Sequence, residues 1–303
     1  MSVVTVSVPT ERLAADVGPI DGAEIVVWTM KGAPPRPEFD MVVPPYLTLS
    51  SALPRLAEVT TRVVQSQSIG YEGVAAQLPR GVVFANAATV HETSTAELAL
   101  ALTLAAQRRI PAFVRAQAAG SWAPEFASSL ADRRVLLLGY GGVGSAVAAR
   151  LAAFQVELTV VASHARDDGG IHIHGVDELP ELLPRAEIVI VTLPGGPETH
   201  HIVDEAFLTA LPDDALVVNV GRGPLIDTEA LLAQGGRIRA ALDVTDPEPL
   251  PSGHPLWTAP GVLISPHVGG ASTAMQPRIA GLVRRQIGHL LAGEEPENVV
   301  IRT

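Results

Sequence analysis

The 303-residue sequence contains no cysteine. That excludes a disulfide scaffold, a thiolate nucleophile and a zinc–thiolate site, and no metal site is expected. An excess of basic residues is also missing. Lys and Arg number 21 against 32 Asp and Glu, for a net charge of −11. A nucleic-acid surface wants a clustered basic face, so nucleic acid is not an expected partner. Long apolar runs are absent as well. The longest, "AELALALTLAA" at residues 96–106, is too short to span a bilayer, and no membrane partner is expected. The start, "MSVVTVSVPTER", has neither the basic n-region nor the apolar core of a signal peptide. A cytoplasmic enzyme or binding protein is the expectation that remains.

Hydrophobic content of 47% and charged content of 17% describe an ordinary globular chain. Its length favours two domains over one core, and 27 glycines with 25 prolines suit many short connections. Strands are expected at "VVTVSV" (3–8), "EIVVW" (24–28), "MVV" (41–43), "TRVVQS" (61–66) and "GVVFA" (81–85). Residues 1 to about 90 therefore read as one small flavodoxin-like α/β domain. "TSTAELALALTLAAQRR" (93–109) is the clearest helix, with Ser94 and Glu97 spaced as a capping box and two arginines at its end. A second strand series follows at 133–139, 156–162, 171–176, 187–193, 215–220, 237–244 and 261–266. Such continuous apolar strands are buried on both faces, as in a doubly wound parallel sheet. The tail, 276–293, is an amphipathic helix ending at a C-cap glycine. With no sheet of its own, it is expected to return to the first domain, leaving a cleft between two lobes.

The strand "RVLLLG" runs into Gly139-x-Gly141-x-x-Gly144 and then a helix, "SAVAARLAAF". In a dinucleotide site such glycines allow a tight turn, close approach to a pyrophosphate and close packing of helix on strand. The helix N-terminus then offers N–H groups and a positive dipole end to the phosphates. A chance turn also contains glycines, and S-adenosylmethionine and flavin sites use similar loops. The loop alone leaves the cofactor open. Its usual companion, an acid closing the second strand, is missing: "VVASHAR" (160–166) ends in Ala162, Ser163 and His164, with Arg166 following.

Three later segments each place a functional side chain just after an apolar strand, where open α/β sheets bind ligands. "VVNVGRGPLID" offers Arg222, "AALDVTDPEPLP" offers Asp243, Asp246 and Glu248, and "LISPHVGG" offers His267. An arginine can hold a carboxylate in a two-pronged hydrogen bond. A histidine beside a carboxylate keeps its charged form near neutral pH. Taken singly, Arg222 also reads as a solvated loop residue, Glu248 as a turn residue among prolines, and His267 as a histidine bonded within its loop. Joint placement downstream of a nucleotide loop favours chemistry.

These residues resemble the D-isomer-specific 2-hydroxyacid dehydrogenase family, which includes glyoxylate/hydroxypyruvate reductases and phosphoglycerate dehydrogenases. The resemblance is carried by "SIGYEG" (68–73), residues 86–110 and 137–154, "LPGGPETHHIVDEAFL" (193–208), "NVGRGPLID" (219–227), "LDVTDPEPLPSGHPLW" (242–257) and "SPHVGGAS" (265–272). It implies a substrate-binding domain of residues 1–92 completed by 276–303, and a Rossmann dinucleotide-binding domain of 93–275, with hinges near Thr93 and Met275 and a site between them. It implies Arg222, Glu248 and His267 as the catalytic set and the amides around Ile69 and Gly70 as binders of a substrate carboxylate. For the cofactor it implies Gly139, Gly141, Gly142, Val143, Gly144, Leu193, Pro194 and Val220, with Asp243 orienting the nicotinamide amide. It also implies a homodimer built through the nucleotide domain, acting on a small 2-oxo or 2-hydroxy acid.

The sequence departs from the family pattern in three places. The ribose acid is absent, and Ser163, His164 and Arg166 supply donors instead, which leads to an expected preference for NADP with NAD use still possible. Asp167 or Asp168 reaching back to the ribose is the alternative. The stretch "ALLAQGGRIRAALDV" is about three residues shorter than usual, which is expected to trim a surface helix. No C-terminal regulatory extension is expected beyond residue 303. The rival reading from another class is a non-catalytic, nucleotide-sensing corepressor-like protein of the same fold. An S-adenosylmethionine enzyme is a weaker third option, because it has no use for the Arg–Glu–His set.

Overall fold

β-Branched and leucine-rich runs assemble into two separate sheets in the computed structural model, which describes residues 3–303. The first contains β1 (Val4–Val8), β2 (Ala23–Val27), β3 (Glu38–Val42), β4 (Thr60–Gln65) and β5 (Val83–Ala85), all parallel. The second contains β6 (Arg134–Leu138), β7 (Glu157–Ala162), β8 (Arg166–Asp168), β9 (Ile171–Gly175), β10 (Ile188–Val191), β11 (Leu216–Asn219), β12 (Arg239–Leu242) and β13 (Val262–Ile264). A last strand, β14 (Val299–Arg302), joins the first sheet antiparallel to β5.

The first sheet runs β14-β5-β4-β3-β1-β2. Its five parallel strands keep the flavodoxin-like order. The second runs β13-β12-β11-β10-β6-β7-β9-β8, a doubly wound Rossmann arrangement whose direction of winding reverses between β6 and β10. Only β8, a hairpin partner of β9, is antiparallel there. The central strands β10 and β11 are wholly buried, as a sheet covered on both faces requires.

The chain divides into two compact units: everything up to His91 together with Gly270–Thr303, and Glu92–Gly269. In the first, the helix Met275–Ala292 buries Ile279, Leu282, Val283 and Ile287 against Val4, Val6 and Val8 of β1. Each fully buried aliphatic side chain of this kind contributes roughly 1.5–3 kcal/mol. Gln286 Nε2 also donates to Gln65 Oε1 at 2.6 Å inside that unit. Gly293, at φ 71°, ends the helix, as a left-handed C-cap glycine does. Gly270 belongs here because it packs on His91 and Tyr46. A Cβ at Gly270 would stand 2.7 Å from His91 Nδ1 and 2.8 Å from Tyr46 Oη.

Three local expectations change. The tail does contribute to a sheet, through β14, a short β-branched run beyond the helix. The edge strand β8 reads Arg-Asp-Asp and is fully exposed, so it has no apolar pattern to announce it. The long helix begins at Glu92 and ends at Gln107. Ser94 therefore lies inside the first turn, not at the cap, and Arg108 and Arg109 fall just past the end. An acid in the first turn suits the positive end of the helix, which accounts for the earlier start. Among the described residues no helix is long and apolar enough to cross a membrane.

Candidate active site

All the expected cofactor residues and all three expected catalytic residues lie in the unit Glu92–Gly269, on the loops that follow the C-terminal ends of its parallel strands, or, for Gly142, Val143 and Gly144, in the first turn of the helix Gly142–Leu151 and, for Arg166, on the edge strand β8. The glycine loop follows β6, at the switch point beside β10. Gly139 takes φ 109°, and a Cβ there would sit 2.8 Å from Thr192 Oγ1. A Cβ at Gly144 would overlap Gly139 O, the first carbonyl of the same loop. Both glycines are thus required by the protein's own packing. Gly141 differs: no atom lies within 4 Å of a Cβ built on it. The space over Gly141, at the N-terminus of the helix Gly142–Leu151, fits a phosphate brought close to backbone N–H groups. Gly142 and Val143 form that first turn. The residues present fit a dinucleotide.

Ala162, the last residue of β7, is buried, while Ser163, His164 and Arg166 beyond it are exposed. Arg166 lies on β8 opposite Ile173 of β9, and its Nη1 reaches His164 O at 3.5 Å. Asp167 occupies the next β8 position, and its carboxylate accepts from His172 Nδ1 at 2.9 Å. Leu193 and Pro194 follow β10, and Val220 follows β11. Ile69 and Gly70 follow β4 in the other unit, where Asn86 Nδ2 donates to Ile69 O at 2.8 Å.

The strands β11, β12 and β13 are parallel neighbours in register, Asn219 opposite Leu242 and Leu242 opposite Ile264. Arg222, Asp243 with Glu248, and His267 leave these three adjacent ends. Two devices lock the loops together. A Cβ at Gly223 would overlap Thr245 O, so the Arg222 loop sits directly on the loop that carries Glu248. Thr228 Oγ1 then donates to Asp246 O at 3.0 Å. The shortened stretch after Arg222 closes through the short helix Thr228–Ala233 and a turn with Gly235 and Gly236 at positive φ. β12 still pairs with β11 without a slip.

His267 Nδ1 donates to Glu248 Oε1 at 2.5 Å. Both side chains keep access to solvent, 49% and 40% exposed respectively. With Nδ1 committed to the carboxylate, Nε2 is the ring nitrogen left to exchange a proton with a ligand. The hydrogen bond to Glu248 holds the His267 pKa above its ordinary value, against partial burial and the positive charge of Arg222. Burial alone would push Glu248 up, but the His267 hydrogen bond and the charges of His267 and Arg222 leave it below the usual carboxylate value. A raised His267 pKa beside a lowered Glu248 pKa favours the imidazolium–carboxylate form of the pair, the form a general acid uses.

Several contributors escaped the sequence reading. Asn219, fully buried, shapes the arginine loop: its Nδ2 donates to Arg222 O at 2.8 Å and its Oδ1 accepts from Gly221 N at 2.9 Å. An asparagine ending an apolar strand before Gly-x-Gly is the turn signal that points to it. Thr192 Oγ1 donates to Gly139 O at 3.0 Å and so braces the glycine loop. Ser265 donates to Asp243. Thr192 stands just outside the quoted motifs, and Ser265 opens "SPHVGGAS" without a role of its own.

Residues 100–269 match the family described as D-isomer specific 2-hydroxyacid dehydrogenase, NAD binding domain. A glyoxylate reductase of Thermofilum pendens is 32% identical over 254 residues, covering 79% of this chain and 74% of that protein. A glyoxylate/hydroxypyruvate reductase B of Pectobacterium atrosepticum is 32% identical over 253 residues, covering 79% and 78%. The crystal structure of a D-isomer specific 2-hydroxyacid dehydrogenase from Xanthobacter autotrophicus Py2, in complex with NADPH and MES, is similar with a TM-score of 0.80. It is 29% identical and the match covers 99% of this chain and 98% of that one. The chain belongs to the D-isomer specific 2-hydroxyacid dehydrogenase family and is an NAD(P)-dependent oxidoreductase.

Proposed function

We propose that the protein interconverts a small 2-oxo acid and the corresponding D-2-hydroxy acid, with Arg222, Glu248 and His267 as its catalytic set. The observation that carries this reading is the 2.5 Å hydrogen bond from His267 Nδ1 to Glu248 Oε1. In the reducing direction Arg222 binds the substrate carboxylate and carbonyl oxygen and stabilises the negative charge that develops on that oxygen. His267 delivers a proton from Nε2 to the same oxygen, while Glu248 fixes the ring and keeps it charged. The amides around Ile69 and Gly70 take the carboxylate, and Asp243 helps to orient the nicotinamide amide. The nicotinamide cofactor, when bound, supplies the hydride. NADP is the preferred form on this reading, with NAD a weaker substitute. A cytoplasmic location follows from the same reading.

The deciding experiment is a panel of 2-oxo acids, including glyoxylate, hydroxypyruvate and phosphohydroxypyruvate, assayed by loss of reduced-nicotinamide absorbance with each cofactor. Turnover of at least one acid is expected. Cofactor binding by fluorescence quenching with no turnover of any acid would favour the nucleotide-sensing alternative.

The pair also fixes the sign of the pH dependence. Reduction needs His267 protonated, so its kcat/KM should fall as pH rises through the raised His267 pKa. Oxidation needs the neutral ring and should rise over the same interval. In Glu248→Gln the neutral amide no longer stabilises the imidazolium, so the alkaline limb of reduction should move to lower pH. A limb that stays in place would remove Glu248 from this role.

The homodimer belongs to the same proposal. Trp122 and Phe126 are 96% and 105% exposed, and Ile110 and Val114 on the preceding helix are exposed too. Apolar surface concentrated in this way usually marks an interaction site. Sedimentation should give the mass of two chains for the wild type and of one for Trp122→Ser/Phe126→Ser. A wild-type monomer would overturn the assignment.

A further inference from the structure

The loop that carries His267 is held by a buried carboxylate from the neighbouring strand end. Asp243 is 2% exposed. Its Oδ1 accepts from Ser265 Oγ at 2.7 Å and from Val268 N at 2.9 Å, and its Oδ2 accepts from Gly269 N at 2.8 Å. Its backbone takes part as well, because His267 N donates to Asp243 O at 2.7 Å and to Ser265 O at 3.1 Å. Ser265 N in turn donates to Leu242 O at 2.8 Å. The donors to one carboxylate therefore stand on both sides of His267, one before it and two after it. Between them His267 adopts φ 52°, a left-handed conformation uncommon outside glycine though more frequent for histidine than for most residues, which persists where surrounding contacts impose it.

We infer that Ser265 is a positioning residue for His267, acting through Asp243 to close the turn that aims the imidazole at Glu248. The inference rests on the reading of His267 as the acid. Val268 N and Gly269 N anchor only the outgoing arm of the turn to the carboxylate. The Ser265 hydroxyl is the one side-chain donor that ties the incoming arm to the same carboxylate. Removing it leaves a buried oxygen with one donor fewer and leaves Ser265, whose carbonyl accepts from His267 N, held by its backbone alone. The ring then no longer keeps its fixed approach to Glu248. Since that hydrogen bond is what raises the His267 pKa, loosening it moves the protonation equilibrium as well as the geometry. The charge of Asp243 raises the same pKa to a smaller degree. The groups facing His267 are thus Glu248, Asp243 and Arg222; a change at Ser265 replaces none of them and takes one hydrogen-bond donor from Asp243.

The test compares Ser265→Ala, Ser265→Thr and His267→Ala. For Ser265→Ala the reductive kcat should fall by about tenfold, part of the gain general acid catalysis supplies. Its alkaline limb should move to lower pH, while cofactor affinity by fluorescence quenching and the circular-dichroism melt stay near wild type. Ser265→Thr keeps the hydroxyl and should restore both rate and limb. A lower kcat with an unmoved limb would overturn the inference, as would a change confined to cofactor affinity. Loss of folding in Ser265→Ala would leave Ser265→Thr to decide, since wild-type behaviour in a folded Thr variant supports the hydroxyl role and a displaced limb opposes it. If His267→Ala keeps its turnover, the acid assignment itself fails. If His267→Ala is inactive and Ser265→Ala has a wild-type profile, only the present inference fails.

Discussion

Replacing His267 with alanine is expected to lower reductive turnover between about a hundredfold and ten-thousandfold, the range a positioned general acid contributes. Cofactor affinity should be nearly unchanged. The asymmetry follows from where the ring stands. Its Nδ1 is bound to Glu248, its Nε2 is free to face a substrate oxygen, and nearly half the side chain is exposed. The imidazole packs no core, so its removal should not unfold the unit. The backbone at position 267 is a separate matter, because its N–H bonds to Asp243 O and Ser265 O persist in the alanine variant. Alanine can occupy a left-handed φ only at some cost, so a melt should accompany the kinetics. The measurement is kcat in single-turnover and steady-state assays, beside a fluorescence titration with reduced cofactor. Turnover within about tenfold of wild type would mean another group donates the proton, since that is below the usual contribution of a general acid.

The positions of these groups were legible because the strands that carry them are buried and parallel. Runs such as "ALVVNV" and "RIRAALDV" stand out as continuous apolar segments, and whatever polar residue follows each one falls on the ligand-binding edge. Arg222, Asp243 and His267 are ordered by sheet topology alone. The partners of Asp243 were not legible. Its contacts with Ser265, Val268 and Gly269 depend on β12 and β13 ending level with each other, a register that no single segment encodes. Exposed elements were equally silent. β8 is an edge hairpin of charged residues, with no buried face to impose a period of two. The early start of the long helix came from Glu92 and the packing of Ser94 and Thr95 into the core, where burial displaced the capping role that the Ser94–Glu97 spacing suggests.

The absence of an acid at position 162 carries the last prediction: NADPH should be the better cofactor, and Arg166 should be part of the reason. An aspartate closing β7 would accept hydrogen bonds from both ribose hydroxyls of NADH and repel the additional phosphate of NADPH. Ala162 is buried and does neither. The exposed turn beyond it holds Ser163 and His164, and β8 begins with Arg166. An arginine suits a phosphate because its planar fork donates two hydrogen bonds at once. The alternative acids are poorly placed to serve a ribose. Alternate strand residues face opposite sides, so Asp167 faces away from the side of Arg166, and its carboxylate is already bound to His172. Asp168 faces the side of Arg166 but lies two residues further along the edge strand. A charge-assisted hydrogen bond contributes about 1.5–3 kcal/mol, so Arg166→Ala should lower kcat/KM with NADPH by roughly ten- to a hundredfold. With NADH the same variant should stay near wild type, because the contact is to the extra phosphate. Ala162→Asp should reverse the preference outright by adding the repulsion that the natural residue avoids. The measurement is the ratio of kcat/KM for the two cofactors in all three proteins. A wild-type preference for NADH, or an Arg166→Ala ratio equal to that of the wild type, would take the phosphate contact away from Arg166.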